Sequence, residues 1–231
     1  MTKTVIAIPA AVAIRTLPAI SDEETRFYLQ GLSIEPAPTG SGCYVVATDG
    51  CIMAAEFCPG GSIAGEKIIV RFSKDILKHL KEAKRDTFPR WAVVTRDEVG
   101  KARGAVVFAT SASEALSAAK SNEPGLVIAQ WLGADIDGSF PDWRRVVPAE
   151  DKMANGVKVD GVNPALIARL TAGAKVVTFW TTGDSGDPQL ITRTDAEHWL
   201  GVFMPMRGGC ELPTWFRPSV PTKAPKSEKA A

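Results

Sequence analysis

Three stretches of this chain open in the same way, and that repetition limits what it can fold into more than any other feature. Residues 4–17 (TVIAIPAAVAIRTL), 67–80 (KIIVRFSKDILKHL) and 156–170 (GVKVDGVNPALIARL) each run from a short β-rich segment, through a helix-starting residue, into an apolar helical stripe. The starting residues differ but act alike: Pro9, Ser73 and the pair Asn163 and Pro164 all suit an N-cap or first-turn position. The chain beyond each opening is mostly β. Residues 44–57 (YVVATDGCIMAAEF) are two β runs about Asp49 and Gly50, a pair that predicts a type I′ hairpin. Residues 174–182, 188–194 and 198–206 supply three more β runs, with a loop over 183–188. Each unit is therefore one strand, one helix and further strands. The class is α+β, with helices on one face of antiparallel sheets. Residues 111–125 (SASEALSAAKSNEPG) interrupt the second unit as an inserted helix or an exposed loop, and periodicity leaves both open.

At 231 residues the chain can bury a substantial core as one large domain or two small ones. Its hydrophobic fraction of 45% and charged fraction of 23% are ordinary for a globular protein. A net charge of +1 supplies no overall field to attract a polyanion, so any contact with nucleic acid must come from local clustering. Four cysteines, Cys43, Cys51, Cys58 and Cys210, lack the close pairing of zinc ligands and are too few for a disulfide framework. Reduced thiols in a cytoplasm fit that pattern. The run VIAIPAAVAI after Lys3 has the outline of a secretory signal, but Pro9 breaks it and Arg15 comes soon after, so it reads as part of the folded protein. No segment is long and apolar enough to span a bilayer.

The second helical stripe carries the clearest charge pattern. Lys74, Lys78, Lys81 and Arg85 recur at steps of four, three and four, with Ile76, Leu77, Leu80 and Ala83 on the other side. A solvated helix face explains such a stripe; so does contact with phosphates, which is blind to sequence and weakens with salt. The first helix adds Arg15 and the third Arg169. Catalysis has little to stand on. His79 sits among lysines, His198 near Asp195 has no nucleophile motif beside it, and Asp184 and Asp187 are explained by their turn. With no phosphate-binding glycine loop, dinucleotide fingerprint or metal-ligand spacing, no catalytic residue, metal or cofactor is expected. The segment FMPMR, residues 203–207, sets two methionines about a proline after a strand. Taken alone, Met204 and Met206 read as packing inward. Their unbranched thioethers also suit a surface that adapts to several partners.

Three motifs fall in order along the units: RFYLQG then ATDG (residues 26–31 and 47–50), FPDWRRVVP (140–148) and FMPMR. In kind, order and position they resemble the bacterial DNA sliding clamp, the beta subunit of DNA polymerase III, across most of residues 4–207. The resemblance implies a DNA clamp fold, in which repeated modules form rings with helices lining a hole around duplex DNA and sheets outside. It implies no catalysis, and tethering of DNA polymerase, clamp loader or repair proteins through short peptides with apolar anchors. By the same resemblance a peptide pocket would use Leu29 from RFYLQG, Thr48 and Gly50 from the hairpin, and Pro141, Arg145 and Val146 from FPDWRRV. The closing strand would add Val202, Met204, Pro205 and Met206, and Arg15, Lys74, Lys78, Lys81, Arg85 and Arg169 would face DNA.

The chain departs from the family in three places. After Thr48, Asp49 and Gly50 the family continues with histidine, arginine and leucine, whereas Cys51, Ile52 and Met53 stand here and predict a more apolar pocket. Clamp chains carry three domains of two modules each. Here two modules are read in residues 1–150 and one in 151–208, entered almost directly from FPDWRRVVP. The third module is expected to show an exposed face, met by its equivalent in a second chain of a homo-oligomer or covered in another way. Residues 209–231 are a Pro- and Lys-rich tail, disordered toward its end, in which Trp215 and Phe216 read either as a docked surface strand or as occupants of the chain's own pocket. Two functions fit this pattern. One is a reduced sliding-clamp-like processivity factor, of a phage or other mobile element, that holds duplex DNA and displays a peptide pocket. The other is a clamp-derived module that competes for clamp-binding peptides without encircling DNA.

Overall fold

A computed structural model describes residues 3–38, 40–81, 86 and 88–207. Ala83, Arg85, Cys210, Trp215 and Phe216 lie outside the described residues. The first unit comprises β1 (Thr4–Pro9), α1 (Ala10–Thr16), β2 (Leu32–Pro36), β3 (Cys43–Thr48), β4 (Ile52–Cys58) and the short β5 (Ser62–Ala64). The second comprises β6 (Ile68–Val70), α2 (Lys74–Leu80), β7 (Arg90–Arg96), β8 (Ala102–Phe108), α3 (Ala112–Ser121), β9 (Val127–Leu132) and β10 (Asp135–Ile136). The third holds β11 (Ala154–Asn155), α4 (Pro164–Leu170), β12 (Val177–Thr181), β13 (Gln189–Arg193) and β14 (Ala196–Phe203). The repeated helices start where the sequence places them. Pro9 is the N-cap of α1, the Ser73 hydroxyl accepts from the Ile76 N–H, and the Asn163 side chain accepts from the Ala165 N–H at 3.0 Å with Pro164 in the first turn.

The strands form two antiparallel sheets, one of five strands in the order β5-β1-β7-β8-β9 and one of nine in the order β10-β6-β2-β3-β4-β14-β13-β12-β11. The first two units exchange their opening strands. All of β1, from the first unit, pairs with β7 of the second, and β6 of the second pairs with β2 of the first. Neither sheet can therefore form from one unit alone. Helices α1 and α2 pack on each other and on the inner sheet faces, where Ile6, Ile8, Leu32, Ile34, Val45 and Val94 are at most 2% exposed.

The third unit joins edge to edge. β14 pairs with β4, in a register running from Trp199 opposite Glu56 to Phe203 opposite Ile52. Trp199 lies back over Gly201, where an added Cβ would come 2.5 Å from the indole and 3.2 Å from Leu170 of α4. Two arginines brace this joint. Arg169 of α4 donates to the carbonyls of Pro18 and Ile20 and pairs with Asp49 at 3.2 Å. Arg15 of α1 grips Glu56 of β4 with both Nε, at 2.9 Å, and Nη2. Those bonds to Glu56 hold the Arg15 guanidinium above its ordinary pKa despite partial burial.

Three expectations are corrected by the structure and a fourth is resolved. Residues 156–159 form no strand: the Lys158 N–H turns to the side-chain oxygen of the buried Gln189, whose amide nitrogen holds the carbonyls of Asp184 and Asp187. The third opening is reduced to the two-residue β11 and an isolated bridge between Gly161 and Met206. Helix α2 ends at Leu80 and Lys81 is extended, so the basic stripe is cut after Lys78. The hairpin is not type I′, which needs positive φ at both central residues. Gly50 has φ +94°, but among the described residues Asn122 is the only non-glycine with positive φ. Asp49 instead accepts the N–H groups of Cys51 and Ile52, both at 2.8 Å, in a three-residue loop. Residues 111–125 carry a helix, α3, and it lies on the opposite face of the five-stranded sheet from α1 and α2, with Ala115 and Ala118 over Ala7, Val93 and Ala105.

Gly201→Ala is expected to destabilise the protein by about 1–3 kcal/mol in urea unfolding, because the added methyl displaces Trp199 or Leu170; an unchanged midpoint would refute the close approach. Arg15→Met leaves Glu56 buried without its cation and is expected to cost about 3 kcal/mol in the same assay, with added Glu56→Leu recovering most of the loss.

Candidate functional site

The joint between β4 and β14 has an outer face as well as a core face. Because side chains alternate along a strand, the register that buries Ile52, Trp199 and Phe203 beneath the helices sends Met53, Ala55, Leu200 and Val202 to the opposite side. There they join Val46, Leu190, Leu29 and Phe140 in a second apolar cluster, with Val147, Met153 and Trp180 packed at its border. This cluster crosses from the first unit to the third. Of the three residues that depart from the family pattern, only Met53 enters it, since Ile52 faces the helix-side core and Cys51 is exposed in the turn.

The motifs meet at this seam. Arg26 of RFYLQG lies over Gly50 of ATDG, its Nη1 2.7 Å from where a Cβ would stand, and it donates to the Asp49 carbonyl at 3.4 Å. The Thr48 hydroxyl donates to the Ile52 carbonyl at 2.7 Å and accepts from the Gly50 N–H at 3.0 Å. FMPMR is strung between two partners: the Met204 N–H donates to the Cys51 carbonyl and the Met206 N–H to the Gly161 carbonyl, each at 2.9 Å. Pro205 between them has no N–H to extend the ladder, so β14 stops. Met204 and Met206 are 41% and 52% exposed, which overturns their reading as inward-packed residues.

FPDWRRVVP is anchored by a group the sequence did not single out. Arg144 pairs with Glu35 at 2.6 Å and lies 4.3 Å and 5.2 Å over the rings of Trp143 and Tyr44, while the Trp143 indole N–H donates to Glu35 at 3.1 Å. That anchoring carries Phe140 and Val147 into the outer cluster and leaves Arg145 and Val146 exposed. Pro141 instead lines a cavity of about 200 Å³ with Ser33, Glu35 and Lys67, which adjoins the cluster through Phe140 and Trp143. Leu29, Thr48, Gly50, Val202, Met204, Pro205 and Met206 thus gather about the seam, and Pro141 stands over β2. Leu190 and Met153 were missed; strand alternation was the signal for Leu190.

The predicted cations divide. Arg15 and Arg169 are paired within the chain, with Glu56 and with Asp49, although the Arg169 side chain is 41% exposed. Lys74, Lys78 and Lys81 are exposed, Lys78 within 3.1 Å of Asp75, and Arg85 lies outside the described residues. His79 is exposed on α2, and His198 on β14 lies edge-on to Phe57. Beside β13, the Arg193 guanidinium holds the Asp195 carboxyl below the usual carboxylate range. Among the described residues no three His, Cys, Asp or Glu side chains cluster as metal ligands, and no helix is long and apolar enough to cross a membrane. A larger cavity, about 780 Å³, lies away from the seam between α3 and the five-stranded sheet, with Lys3, Arg103 and Lys120 as its charged residues.

No protein-family model matches the chain, and no curated protein sequence matches it. Solved structures do. The Caulobacter crescentus beta sliding clamp, solved with polyethylene glycol bound, aligns with a TM-score of 0.58 at 20% identity over 88% of this chain and 65% of its own. The Pseudomonas aeruginosa DNA polymerase sliding clamp aligns at 0.58 and 18% over 88% and 66%, and the Thermotoga maritima DNA polymerase III beta subunit at 0.56 and 14% over 88% and 65%. This chain spans about 65% of the length of the first of these, and over that span it has the fold of the bacterial beta sliding clamp.

Proposed function

We propose that this chain is a non-catalytic, clamp-like accessory protein of DNA replication or repair whose β4–β14 seam docks short peptides of partner proteins such as a DNA polymerase or clamp loader. The supporting observation is the apolar cluster that crosses the seam and borders two exposed methionines and the exposed Cys51 turn. Unbranched thioethers reshape at little cost, so one floor accepts several apolar anchors. A few such anchors dominate binding energy in interfaces of this kind. The exposed Lys74, Lys78 and Lys81 would add loose, sequence-blind contact with duplex DNA. A second reading, capture of clamp-binding peptides without encircling DNA, is favoured by the internal engagement of Arg15 and Arg169.

Met204→Ala with Met206→Ala is expected to weaken binding of a fluorescent peptide bearing a polymerase's clamp-binding motif by about tenfold or more. Equal affinity in the anisotropy titration would sink the seam assignment. On circular duplex DNA, wild-type retention is expected to fall with salt, and to be lost when Lys74, Lys78 and Lys81 are replaced by glutamate. Retention unchanged by the three substitutions would refute the role of α2; a wild-type protein that binds the peptide yet is never retained would select the capture reading.

A further inference from the structure

The segment that interrupts the second unit takes no part in the seam. In the first unit β3 turns into β4 through residues 49–51, whereas β8 of the second unit reaches β9 only after residues 109–126, which include α3. This extra helix roofs the outer face of the five-stranded sheet. Its Ala115 and Ala118, with side chains small enough to lie close, sit on the outward row Ala7, Val93 and Ala105. The next outward row, Val5, Thr95, Arg103 and Leu132, lies beyond those alanines, and the space between it and the far part of α3 is the cavity of about 780 Å³. Small-molecule sites span roughly 300–1,000 Å³, so the cavity has the size of one. Its lining is of two kinds. Val5, Val93, Ala105, Leu116 and Ala119 make an apolar floor. Lys3, Arg103 and Lys120 are its charged residues, all exposed, with no carboxylate among the described lining residues and no ion pair to any of the three. Arg15, Arg144, Arg169 and Arg193, by contrast, each hold a carboxylate. One side of the cavity is tied shut: Asn122, the left-handed C-cap of α3, accepts from the Gln130 side-chain amide of β9 at 2.9 Å.

We propose that this cavity binds a small amphipathic organic anion, with an apolar body of alkyl or aromatic carbon and a single carboxylate, sulfonate or phosphate head. The body would displace water from the floor beneath Leu116 and Ala119. The head would lie at the rim, where Lys3, Arg103 and Lys120 supply charge-assisted hydrogen bonds and the guanidinium fork takes two oxygens at once. Lys120 stands in the last turn of α3, where it also offsets the partial negative charge of that helix end. Three cations that converge on an apolar space without an anion of their own favour a ligand that brings one. An extended acidic peptide fits less well, because it needs a groove open at both ends and the bond from Gln130 to Asn122 bars one side. The cavity lies on the opposite face of the five-stranded sheet from α1 and α2 and shares no residue with the outer cluster of the seam, so this inference does not depend on whether the seam binds peptides.

Fluorescence titration of the full chain with anilinonaphthalene sulfonate, an aromatic body with one sulfonate, followed by displacement of the dye, tests it. Saturable binding is expected, with decanoate displacing the dye about tenfold or more better than neutral decanamide. Arg103→Gln with Lys120→Gln should weaken decanoate by about tenfold or more, whereas Lys152→Gln with Lys175→Gln, which removes the same charge from the third unit, should leave it unchanged. Arg103 and Lys120 are exposed, so thermal unfolding should survive their loss. Ala119→Trp fills the cavity without a change of charge and should remove both dye and decanoate. Absence of saturable binding would overturn the proposal. Equal displacement by decanoate and decanamide, or indifference to the loss of Arg103 and Lys120, would overturn it by reducing the cavity to an apolar surface. Dye binding that survives Ala119→Trp but is lost with Met204→Ala and Met206→Ala would overturn it by placing the dye at the seam. Displacement by a short peptide of glutamate and leucine but not by decanoate would assign the cavity to a protein segment and overturn the small-ligand reading.

Discussion

The backbone ladder between β4 and β14 is the joint on which the rest of the molecule depends. It is five residue pairs long, and among the described residues it alone merges the strands of the third unit with those of the first. A slip of β14 by one residue would turn Val202 toward the helices and Trp199 and Phe203 to the outside, while β4 stays held by β3. Trp199, folded over Gly201 and buried beside Leu170 of α4, opposes that slip, because it would carry the indole out of the core. Core and outer cluster are therefore fixed by one choice of register. The outer face inherits its shape from the packing beneath it.

Charge serves the same joint. Glu56 faces the core from β4 and would be an uncompensated buried carboxylate without Arg15, and Asp49 shapes the turn while also receiving Arg169 from α4. Two arginines on the helices are thus committed to architecture, in a protein with almost no net charge. The cations left outward on α2 are the lysines Lys74 and Lys78, which take no part in the joint.

Much of this was legible in the sequence, because helix starts and strand alternation are local properties. Pro9, Ser73 and Asn163 mark their helices, and the β runs of residues 44–57 and of the last third fall where the strands are. The features that were not legible depend on partners far along the chain. The segment 156–159 has the composition of a strand but lacks a neighbour to pair with, so the side chain of Gln189 takes one of its N–H groups. Lys81 fits a helical stripe by spacing, yet the chain has already left the helix. Asp49 and Gly50 read as a tight two-residue turn until the carboxylate captures two backbone donors and widens it. At the site, motif positions such as Thr48 and Met204 could be named in advance, while the Glu35, Trp143 and Arg144 anchor rests on residues 108 apart, which no local pattern reveals.

The same distance along the chain shapes how the molecule comes together. Ile52 and Phe203 stand face to face although some 150 residues separate them, so closing that loop costs entropy that only the finished ladder returns. The strands of the first two units have nearer partners and can zip first, leaving β14 to arrive last on a surface already made. An element that joins last is also among the first to leave when a protein breathes. The third unit would then be the part of the fold that opens most readily, and the seam a hinge line along which the protein yields before it unfolds.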